Sequence, residues 1–312
     1  MNSVGTSGRV ASIDCGTNSI RLLIAEADGS GLRDVHREMR VVRLGEGVDR
    51  TGRLAPQAIE RTRVALSDYA ALIGDCGVDR VRMVATSASR DASNATEFVS
   101  MVTQVLGVAP EVISGQEEAE LSFLGAVEGL PGAAEPLLLA DIGGGSTELV
   151  LGSPTSQRVF SSYSMDVGCV RMTERHLVSD PPTVAQVQAT VTDLTAALDR
   201  AGAVVPVAEA AAFVGVAGTV TTVAAIALGL KSYDPAAIHG SVISMDQVTA
   251  VTHRLLLMTH AQRAALPVMH PGRVDVIGGG ALVLRTLMDY VGASEVIASE
   301  HDILDGIALS LR

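Results

Sequence analysis

The sequence predicts an α/β protein built from two similar halves, each with a mixed five-stranded sheet flanked by helices. Stretches with strand and helix periodicity alternate as β-β-β-α-β-α-β-α in the first half, and the second half repeats this order with insertions. An eight-residue phrase also occurs twice, as DCGTNSIR at 14–21 and as DIGGGSTE at 141–148. Strands that alternate with helices form mixed sheets covered by helices, and the duplication predicts a ligand cleft between the halves.

The first half is predicted from apolar periodicity and from signals at helix ends. Pro56 suits the first turn of a helix whose apolar face extends to Ile73, and Asn94 with Glu97 resembles a capping box. The predicted strands lie near 9–15, 19–26, 33–43, 80–85 and 111–113, and the predicted helices lie near 56–73, after 94 and at 115–129. We therefore expect this half to end on a helix.

The second half is predicted by the same signals. An apolar stripe from Val184 to Leu198 indicates a long helix, and Gly129 with Pro131 interrupts both periodicities between the halves. The predicted strands lie near 137–141, 147–152, 157–164, 211–216 and 295–298, and the predicted helices near 183–201, 219–228, 245–258, 273–290 and 302–311. We expect domains at 1–128 and 129–312, with the last helix packing back on the first domain.

Composition excludes several classes of protein. Hydrophobic residues make up 47% of the 312 residues, but no apolar run approaches 18 residues, so no membrane span is expected. The net charge of −12 argues against nucleic-acid binding, which needs a basic surface. Three isolated cysteines form no disulfide or zinc pattern and indicate a reducing cytoplasm.

The chain uses arginine almost exclusively as its cation. It has one lysine, Lys231, against 22 arginines, a usage that codon bias in a GC-rich genome explains. A P-loop needs Gly-Lys-Ser/Thr, and Lys231 follows Leu230, so the sequence contains no P-loop. A phosphate ligand must then be held by arginine, backbone amides and metal.

Both copies of the repeated phrase place a carboxylate at the end of a strand and a turn of small residues after it. Such a turn leaves backbone N–H groups open to phosphate oxygens, and the carboxylate can hold the accompanying metal. Three successive glycines at 143–145 cost backbone entropy, which favours close approach of a ligand over a merely tight hairpin. The copies differ at the equivalent positions Arg21 and Glu148, so one half offers a cation to phosphate and the other a second carboxylate to a metal.

Two further segments supply candidate residues. Ser114 and Glu117 fit a capping box, which leaves Glu118 either as a general base toward a water or as an anion favoured by the helix N-terminus. Arg90, between a strand and a helix, is either a phosphate clamp or a surface arginine. The turn at 215–219 suits a phosphate or nucleoside edge, or else close packing of strand on helix.

With these residues identified, the sequence resembles the exopolyphosphatase/guanosine pentaphosphate phosphohydrolase family of the actin, sugar-kinase and Hsp70 superfold. The resemblance runs nearly end to end. It rests on the two Asp turns, TSASRDASN at 86–94, ISGQEEA at 113–119, GVAGT at 215–219 and VIGGGA at 276–281. It implies duplicated actin-like, ribonuclease H-like domains.

The resemblance also implies roles for residues at matching positions. Glu118 becomes the water-activating base, and the implied metal, Mg²⁺ or Mn²⁺, is associated with Asp141 and Glu148, together with Asp14. The implied phosphate contacts are Asn18, Ser19, Arg21, Arg90, Gly143, Gly144, Gly145 and Ser146. Glu120 departs from the family's usual arginine, which removes a positive charge near the base.

The implied activity is metal-dependent hydrolysis of the terminal phosphoanhydride of inorganic polyphosphate. Longer members carry a C-terminal helical domain that grips long polymers, and the chain stops after its second half, so short chains are the expected substrate. Guanosine pentaphosphate presents the same terminal anhydride and stays an alternative, as do a sugar or acetate kinase and a non-catalytic actin-like nucleotide-binding protein. A homodimer is common for enzymes of this size, but no sequence feature locates an interface.

Overall fold

The computed structural model describes residues 8–28, 31–130 and 132–312. The chain forms two compact units. Unit 1 contains the described residues up to Gly125 together with Ile303–Arg312, and unit 2 is Ala126–Asp302. Pro131, which the sequence places near the boundary, lies outside the described residues.

Unit 1 is built around one mixed sheet. Its elements are β1 (Gly8–Cys15), β2 (Ser19–Asp28), β3 (Gly31–Val41), α1 (Val48–Thr51), α2 (Pro56–Asp75), β4 (Arg80–Ala85), α3 (Ser87–Asp91), α4 (Ala95–Leu106), β5 (Glu111–Val112) and the start of α5 (Gly115–Glu128). The strand order is β3-β2-β1-β4-β5, with β1, β2 and β3 antiparallel and β4 parallel to both β1 and β5. Because Cys15 pairs with Ala85 in parallel strands, the turn after β1 lies beside the segment that leads into α3.

Unit 2 is built around a second mixed sheet. Its elements are β6 (Leu137–Ile142), β7 (Thr147–Ser153), β8 (Arg158–Met165), α6 (Cys169–His176), α7 (Val184–Gly202), β9 (Ala212–Val216), α8 (Ala217–Ala227), α9 (Pro235–Ile238), β10 (Val242–Ser244), α10 (Met245–Leu257), α11 (His260–Ala264), α12 (Ile277–Val291) and β11 (Glu295–Ala298). The strand order is β10-β11-β9-β6-β7-β8. The next helix, α13 (Ile303–Leu309), belongs to unit 1.

The two sheets share one topology, which confirms the predicted α/β class with mixed sheets. In each, three antiparallel strands are followed by parallel ones, so β1, β2 and β3 correspond to β6, β7 and β8. The expectation of five strands in the second sheet is wrong, since Val242–Ser244 adds a sixth strand antiparallel to β11. A strand of three residues is too short to give a periodic signal.

Several helix boundaries also differ from the sequence-based expectation. The short helices α1, α3, α6, α9 and α11 are not predicted, because none spans more than eight residues. The helix expected from residue 273 begins at Ile277, since Pro271–Arg273 forms a 3₁₀ turn. The capping box expected at Asn94 is wrong: its side chain bonds the backbone N–H and carbonyl of Leu54, at 2.8 and 3.1 Å.

Each unit has its own apolar core. In unit 1, Tyr69 and Phe98 are fully buried, and the Tyr69 hydroxyl donates to the carbonyl of Ile20 at 3.1 Å. In unit 2, Leu138 of β6 and Leu284 of α12 belong to one buried cluster. Burying a side chain of this size stabilises the fold by about 1.5–3 kcal/mol, so each sheet is a rigid base for its turns. Within the described ranges, no helix combines the length and apolar character needed to cross a membrane.

The helix α13 completes the core of unit 1. Leu304 and Ala308 pack against residues of β1 and β2, and Oγ of Ser12 donates to the carbonyl of Leu304 at 2.8 Å. A Cβ at Gly306 would overlap the carbonyl of Leu121, so α13 and α5 approach as closely as two backbones can. The helix α5 is therefore held from behind by α13.

Candidate active site

The first turn joins β1 to β2 and carries an ion pair. Asp14 and Arg21 are directly opposite on antiparallel strands, where the two side chains of a pair share one face. Arg21 donates from Nε at 2.9 Å and from Nη2 at 2.5 Å to Oδ2 of Asp14, which is 4% exposed. The predicted metal carboxylate Asp14 and the predicted phosphate contact Arg21 therefore compensate each other's charge.

The backbone of the first turn is held by the segment that follows β3. The carbonyl of Asn18 accepts hydrogen bonds from the N–H groups of Val42 and Arg43, at 3.1 and 2.8 Å. Within the turn, the N–H of Gly16 donates to the carbonyl of Ser19 at 3.0 Å. The predicted phosphate contacts Asn18 and Ser19 thus lie in a turn of fixed shape.

The second turn joins β6 to β7 and carries two carboxylates. Asp141 and Glu148 are directly opposite, as Asp14 and Arg21 are in the first turn. Both are buried, at 6% and 1% exposed, and Oγ of Ser164 donates to Oε1 of Glu148 at 2.7 Å. Two buried carboxylates side by side offer oxygen ligands of the kind that a divalent cation prefers.

The carboxylate pair fits a divalent cation held jointly with a phosphate ligand. Mg²⁺ is usually bound through one or two carboxylates, and substrate phosphates and waters fill its other positions. In the parts of the chain that the structure describes, no three His, Cys, Asp or Glu side chains are grouped to hold a metal by themselves. Asp141 and Glu148 are the donors in unit 2 suited to an ion shared with phosphate.

The three glycines of the second turn direct their carbonyls at α6. The carbonyls of residues 143 and 144 accept hydrogen bonds from N–H groups in the first turn of α6, at 2.9–3.1 Å. Arg171 adds a side-chain bond from Nε to the carbonyl of Gly145 at 2.7 Å. The N–H groups of Gly144, Gly145 and Ser146 have no protein acceptor among the described residues. The turn therefore presents three backbone donors to an anion.

The candidate base Glu118 lies in the first turn of α5 and is paired with Arg90. Nη1 of Arg90 donates to Oε2 of Glu118 at 2.7 Å and to the carbonyl of Ile113 at 3.0 Å. The side chains of Arg90 and Glu118 are 22% and 10% exposed, so most of the pair is shielded from water. Two residues that the sequence marks in separate motifs are thus in direct contact.

Neighbouring side chains fix the start of α5. Oγ of Ser114 accepts from the N–H of Glu117 at 3.2 Å, which is one half of the predicted capping box. The carboxylate of Glu117 is instead bound by Arg82 at 2.9 Å. Glu120, which replaces the family's arginine, is exposed and accepts from Nε2 of Gln116 at 3.1 Å. Glu118 is therefore the carboxylate of this turn that is buried.

The turn at 215–219 is closely packed. A Cβ on Gly218 would overlap the guanidinium of Arg273, and a Cβ on Gly280 would lie 2.5 Å from Oγ1 of Thr219. The run of glycines in α12, whose helical context indicates a kink or close approach, is thus a site of close approach. These contacts favour close packing over the nucleoside interpretation of this turn.

Sequence reasoning misses Arg171. The residue lies outside both copies of the repeated phrase, in a helix of eight residues. The sequence signal for this helix is weak, because it consists of little more than two apolar residues three positions apart, Cys169 and Met172, both of which are buried in the structure. Only the fold brings Arg171 to the second turn.

A duplicated α/β fold with a glycine-rich turn beside buried carboxylates is typical of proteins that bind phosphorylated ligands. Comparison with known families specifies which of them this is. The model of the Ppx/GppA phosphatase family matches residues 23–311, and the chain belongs to this family.

Relatives and solved structures agree with this membership. Exopolyphosphatase 2 of Mycobacterium tuberculosis is 54% identical over 97% of this chain and 98% of its own length. An exopolyphosphatase-like protein of known structure superposes with a TM-score of 0.95 at 44% identity, covering 98% of both chains. The Ppx/GppA family member of Aquifex aeolicus gives a TM-score of 0.80 at 31% identity, covering 97% of both chains. The resemblance drawn from the sequence motifs is confirmed.

Proposed function

We propose that this chain is an exopolyphosphatase, which hydrolyses the terminal phosphoanhydride of inorganic polyphosphate and releases phosphate, with short chains favoured. The second turn carries the proposal, because three backbone N–H donors lie there beside two buried carboxylates. A phosphate chain with its divalent counterion matches both the donors and the carboxylates. The name of the Mycobacterium tuberculosis relative supports the same substrate.

Phosphate binding is assigned to the two turns and to two arginines. The proposed contacts are Asn18, Ser19, Arg21, Arg90, Gly144, Gly145 and Ser146, whereas the N–H of Gly143 already donates to the carbonyl of Ser146 at 3.1 Å. Mg²⁺ or Mn²⁺, when bound at Asp141 and Glu148, supplies compensation for the negative charge of the phosphates, and a contribution of Asp14, which is paired with Arg21, stays a prediction. The N–H donors and the arginines stabilise the charge of the transferred group, because they are already oriented before the reaction.

Glu118 is the proposed general base. Its carboxylate takes a proton from a water whose oxygen attacks the terminal phosphorus. The bond from that phosphorus to the bridging oxygen breaks, its electron pair stays on the oxygen, and the chain becomes one phosphate shorter. Arg90 contacts Glu118 at 2.7 Å, so the base and a phosphate-binding cation are placed together.

Replacement of the base tests this assignment. Glu118→Gln keeps the size of the side chain, and we expect phosphate release from short polyphosphate to fall by about 10²–10⁴-fold in kcat, with KM nearly unchanged. Glu117→Gln is the matched control, since Glu117 is bound by Arg82 and has no assigned role in the reaction. Near-wild-type phosphate release by Glu118→Gln would refute the base.

A panel of substrates tests the specificity. Short polyphosphate, long polyphosphate, guanosine pentaphosphate and ATP are assayed side by side, with and without Mg²⁺. We expect the highest kcat/KM for short polyphosphate and no turnover without a divalent metal. Preference for guanosine pentaphosphate would replace the proposal with that alternative, and phosphoryl transfer to a sugar or to acetate would indicate a kinase.

We also propose a reducing cytoplasm as the compartment of this enzyme. Cys15, Cys76 and Cys169 are all free thiols, and Cys15 and Cys169 are buried. Free thiols persist where glutathione and thioredoxin keep cysteines reduced. A homodimer stays a prediction, to be checked by the mass of the protein in solution.

A further inference from the structure

The peptide planes of the second turn have a common orientation. A trans peptide is planar, so its carbonyl and the next residue's N–H point in opposite directions. The carbonyls of residues 143, 144 and 145 all accept hydrogen bonds from α6. The N–H groups of Gly144, Gly145 and Ser146 therefore point away from α6. The hydrogen bonds that hold the turn against α6 therefore also fix the direction of its three N–H groups that have no protein acceptor among the described residues.

Gly168, which precedes α6, permits this contact. Its φ of −159° is extended backbone that any residue adopts, so conformation does not require glycine there. The lack of space does require glycine, because a Cβ at Gly168 would lie 2.5 Å from the carbonyl oxygen of Gly144 and 2.8 Å from that of Gly143. A side chain at this position would push α6 away from the turn.

We infer that Arg171 is a positioning residue for the phosphate cradle, defined as the N–H groups of Gly144, Gly145 and Ser146. Its backbone N–H binds the carbonyl of Gly144 at 3.1 Å, and its Nε binds the carbonyl of Gly145 at 2.7 Å. One residue thus fixes two successive peptide planes. Arg171 acts through the turn and not by touching phosphate, and this role rests on the proposed function, which assigns phosphate to the cradle.

Among the hydrogen bonds from α6 to the carbonyls of the second turn, the bond from Nε of Arg171 to Gly145 is the one that a side-chain substitution removes. Hydrogen bonds from a charged donor are stronger than those between neutral groups. Without this bond, the peptide between residues 145 and 146 loses the side-chain anchor that Nε of Arg171 supplies. We expect KM for short polyphosphate to rise about tenfold, which corresponds to about 1.4 kcal/mol.

Glycine labelling reports on the cradle directly. Only Gly144, Gly145, Gly279 and Gly280 follow another glycine in this sequence. Protein labelled with carbonyl-¹³C, ¹⁵N-glycine therefore gives four amide signals in an HNCO spectrum. Inorganic phosphate should shift the signals of Gly144 and Gly145 in the wild-type protein more than those of Gly279 and Gly280 in α12, which pack on α6 and have no proposed contact with phosphate. Unshifted cradle signals at saturating phosphate would overturn the inference.

Two variants disturb the contact between α6 and the second turn in different ways. Arg171→Met removes the side-chain bond, and Gly168→Ala displaces α6 without changing Arg171. Each should reduce the phosphate-induced shifts of the cradle signals and raise KM about tenfold, with a smaller change in kcat. Arg175→Met is the matched control, because Arg175 lies one turn further along α6 and binds Asp193 at 2.7 Å. It should leave the shifts and KM as in the wild type.

The outcomes separate this inference from the proposed function. Wild-type cradle shifts and wild-type KM in both Arg171→Met and Gly168→Ala would overturn the positioning role. Dispersed signals of the two α12 glycines, at wild-type or at shifted positions because both glycines pack on α6, show that a variant is folded, so a lost response of the cradle then supports the role. If the wild-type protein shows the cradle shifts but releases no phosphate from polyphosphate, the proposed function fails and the positioning role stands.

Discussion

The two turns of this protein have the same backbone plan and opposite electrostatics. In each, a strand ends on an aspartate, small residues turn the chain, and the residue opposite the aspartate lies on the next strand. In the first turn that residue is Arg21, which binds Asp14; in the second it is Glu148, which doubles the negative charge of Asp141. The residue opposite the aspartate thus decides whether a turn carries an ion pair or two carboxylates.

The support beneath the two turns differs as well. In both units, the segment that follows the third strand donates N–H groups to the carbonyls of the turn, from Val42 and Arg43 in unit 1 and from α6 in unit 2. The second support includes a side-chain donor, Nε of Arg171, which binds the carbonyl of Gly145. The glycine-rich turn therefore takes its shape from the helix beneath it.

The largest effect is expected where the second turn loses one of its two carboxylates. Glu148→Gln keeps the hydrogen bond from Ser164 feasible but removes one of the two buried negative charges. We expect phosphate release to fall by at least about 100-fold and the Mg²⁺ concentration for half-maximal activity to rise by at least about tenfold. The check is phosphate release measured across a Mg²⁺ titration.

A milder variant serves as the control for that experiment. Ser164→Ala removes only the hydrogen bond to Glu148 and should change the Mg²⁺ requirement by less than Glu148→Gln does. If Glu148→Gln keeps the wild-type Mg²⁺ requirement, the assignment of Glu148 to the metal is wrong, and the two turns do not differ in the way their charges indicate.

An intermediate effect is expected from breaking the ion pair of the first turn. Arg21→Gln leaves Asp14 buried without its main cation, and we expect the free energy of unfolding to fall by about 3 kcal/mol. KM for short polyphosphate should also rise, by about tenfold, if Arg21 binds phosphate. Urea unfolding and steady-state kinetics measure the two effects separately.

The double variant Asp14→Asn with Arg21→Gln separates stability from substrate binding. It removes both charges of the pair, so the free energy of unfolding should recover toward the wild-type value. The raised KM should persist, because the arginine and any metal contact by the Asp14 carboxylate are both absent. Recovery of both properties would contradict a phosphate contact by Arg21 and leave it a purely structural partner of Asp14.

The smallest effect concerns the cysteines next to the two turns. Burial raises the pKa of the thiols of Cys15 and Cys169, so both stay protonated at pH 8, and only a thiolate reacts readily with alkylating agents. We expect iodoacetamide to modify Cys76, which is partly exposed, and to spare the other two. Mass spectrometry of the native, labelled protein checks this, and labelling of Cys169 would mean that α6 detaches from the second turn.

The sequence locates both turns because strand, turn and strand are contiguous in the chain. The number of residues between Asp141 and Glu148 also determines that they face each other across a hairpin. Membership of the Ppx/GppA family follows from the same local motifs. Local information is thus sufficient for the turns and for the class of fold.

Contacts between distant segments could not be predicted in this way. The pairing of Arg90 with Glu118 joins residues 28 positions apart, and the bond from Arg171 to Gly145 joins residues 26 positions apart. Such contacts depend on how helices pack on the sheet, which periodicity does not specify. The sixth strand of the second sheet escaped prediction because its three residues carry no pattern.

The return of α13 to unit 1 has a consequence for biosynthesis. Unit 1 is made of two stretches of chain, and the whole of unit 2 is encoded between them. Because the ribosome releases the chain from its N-terminus, residues 126–302 emerge before Leu304 and Ala308 can cover β1 and β2. Unit 1 can therefore be completed only after the whole of unit 2 has been synthesised, although domains generally fold in order from the N-terminus. Until then, Val10 and Leu23 lack the cover that α13 supplies in the finished fold.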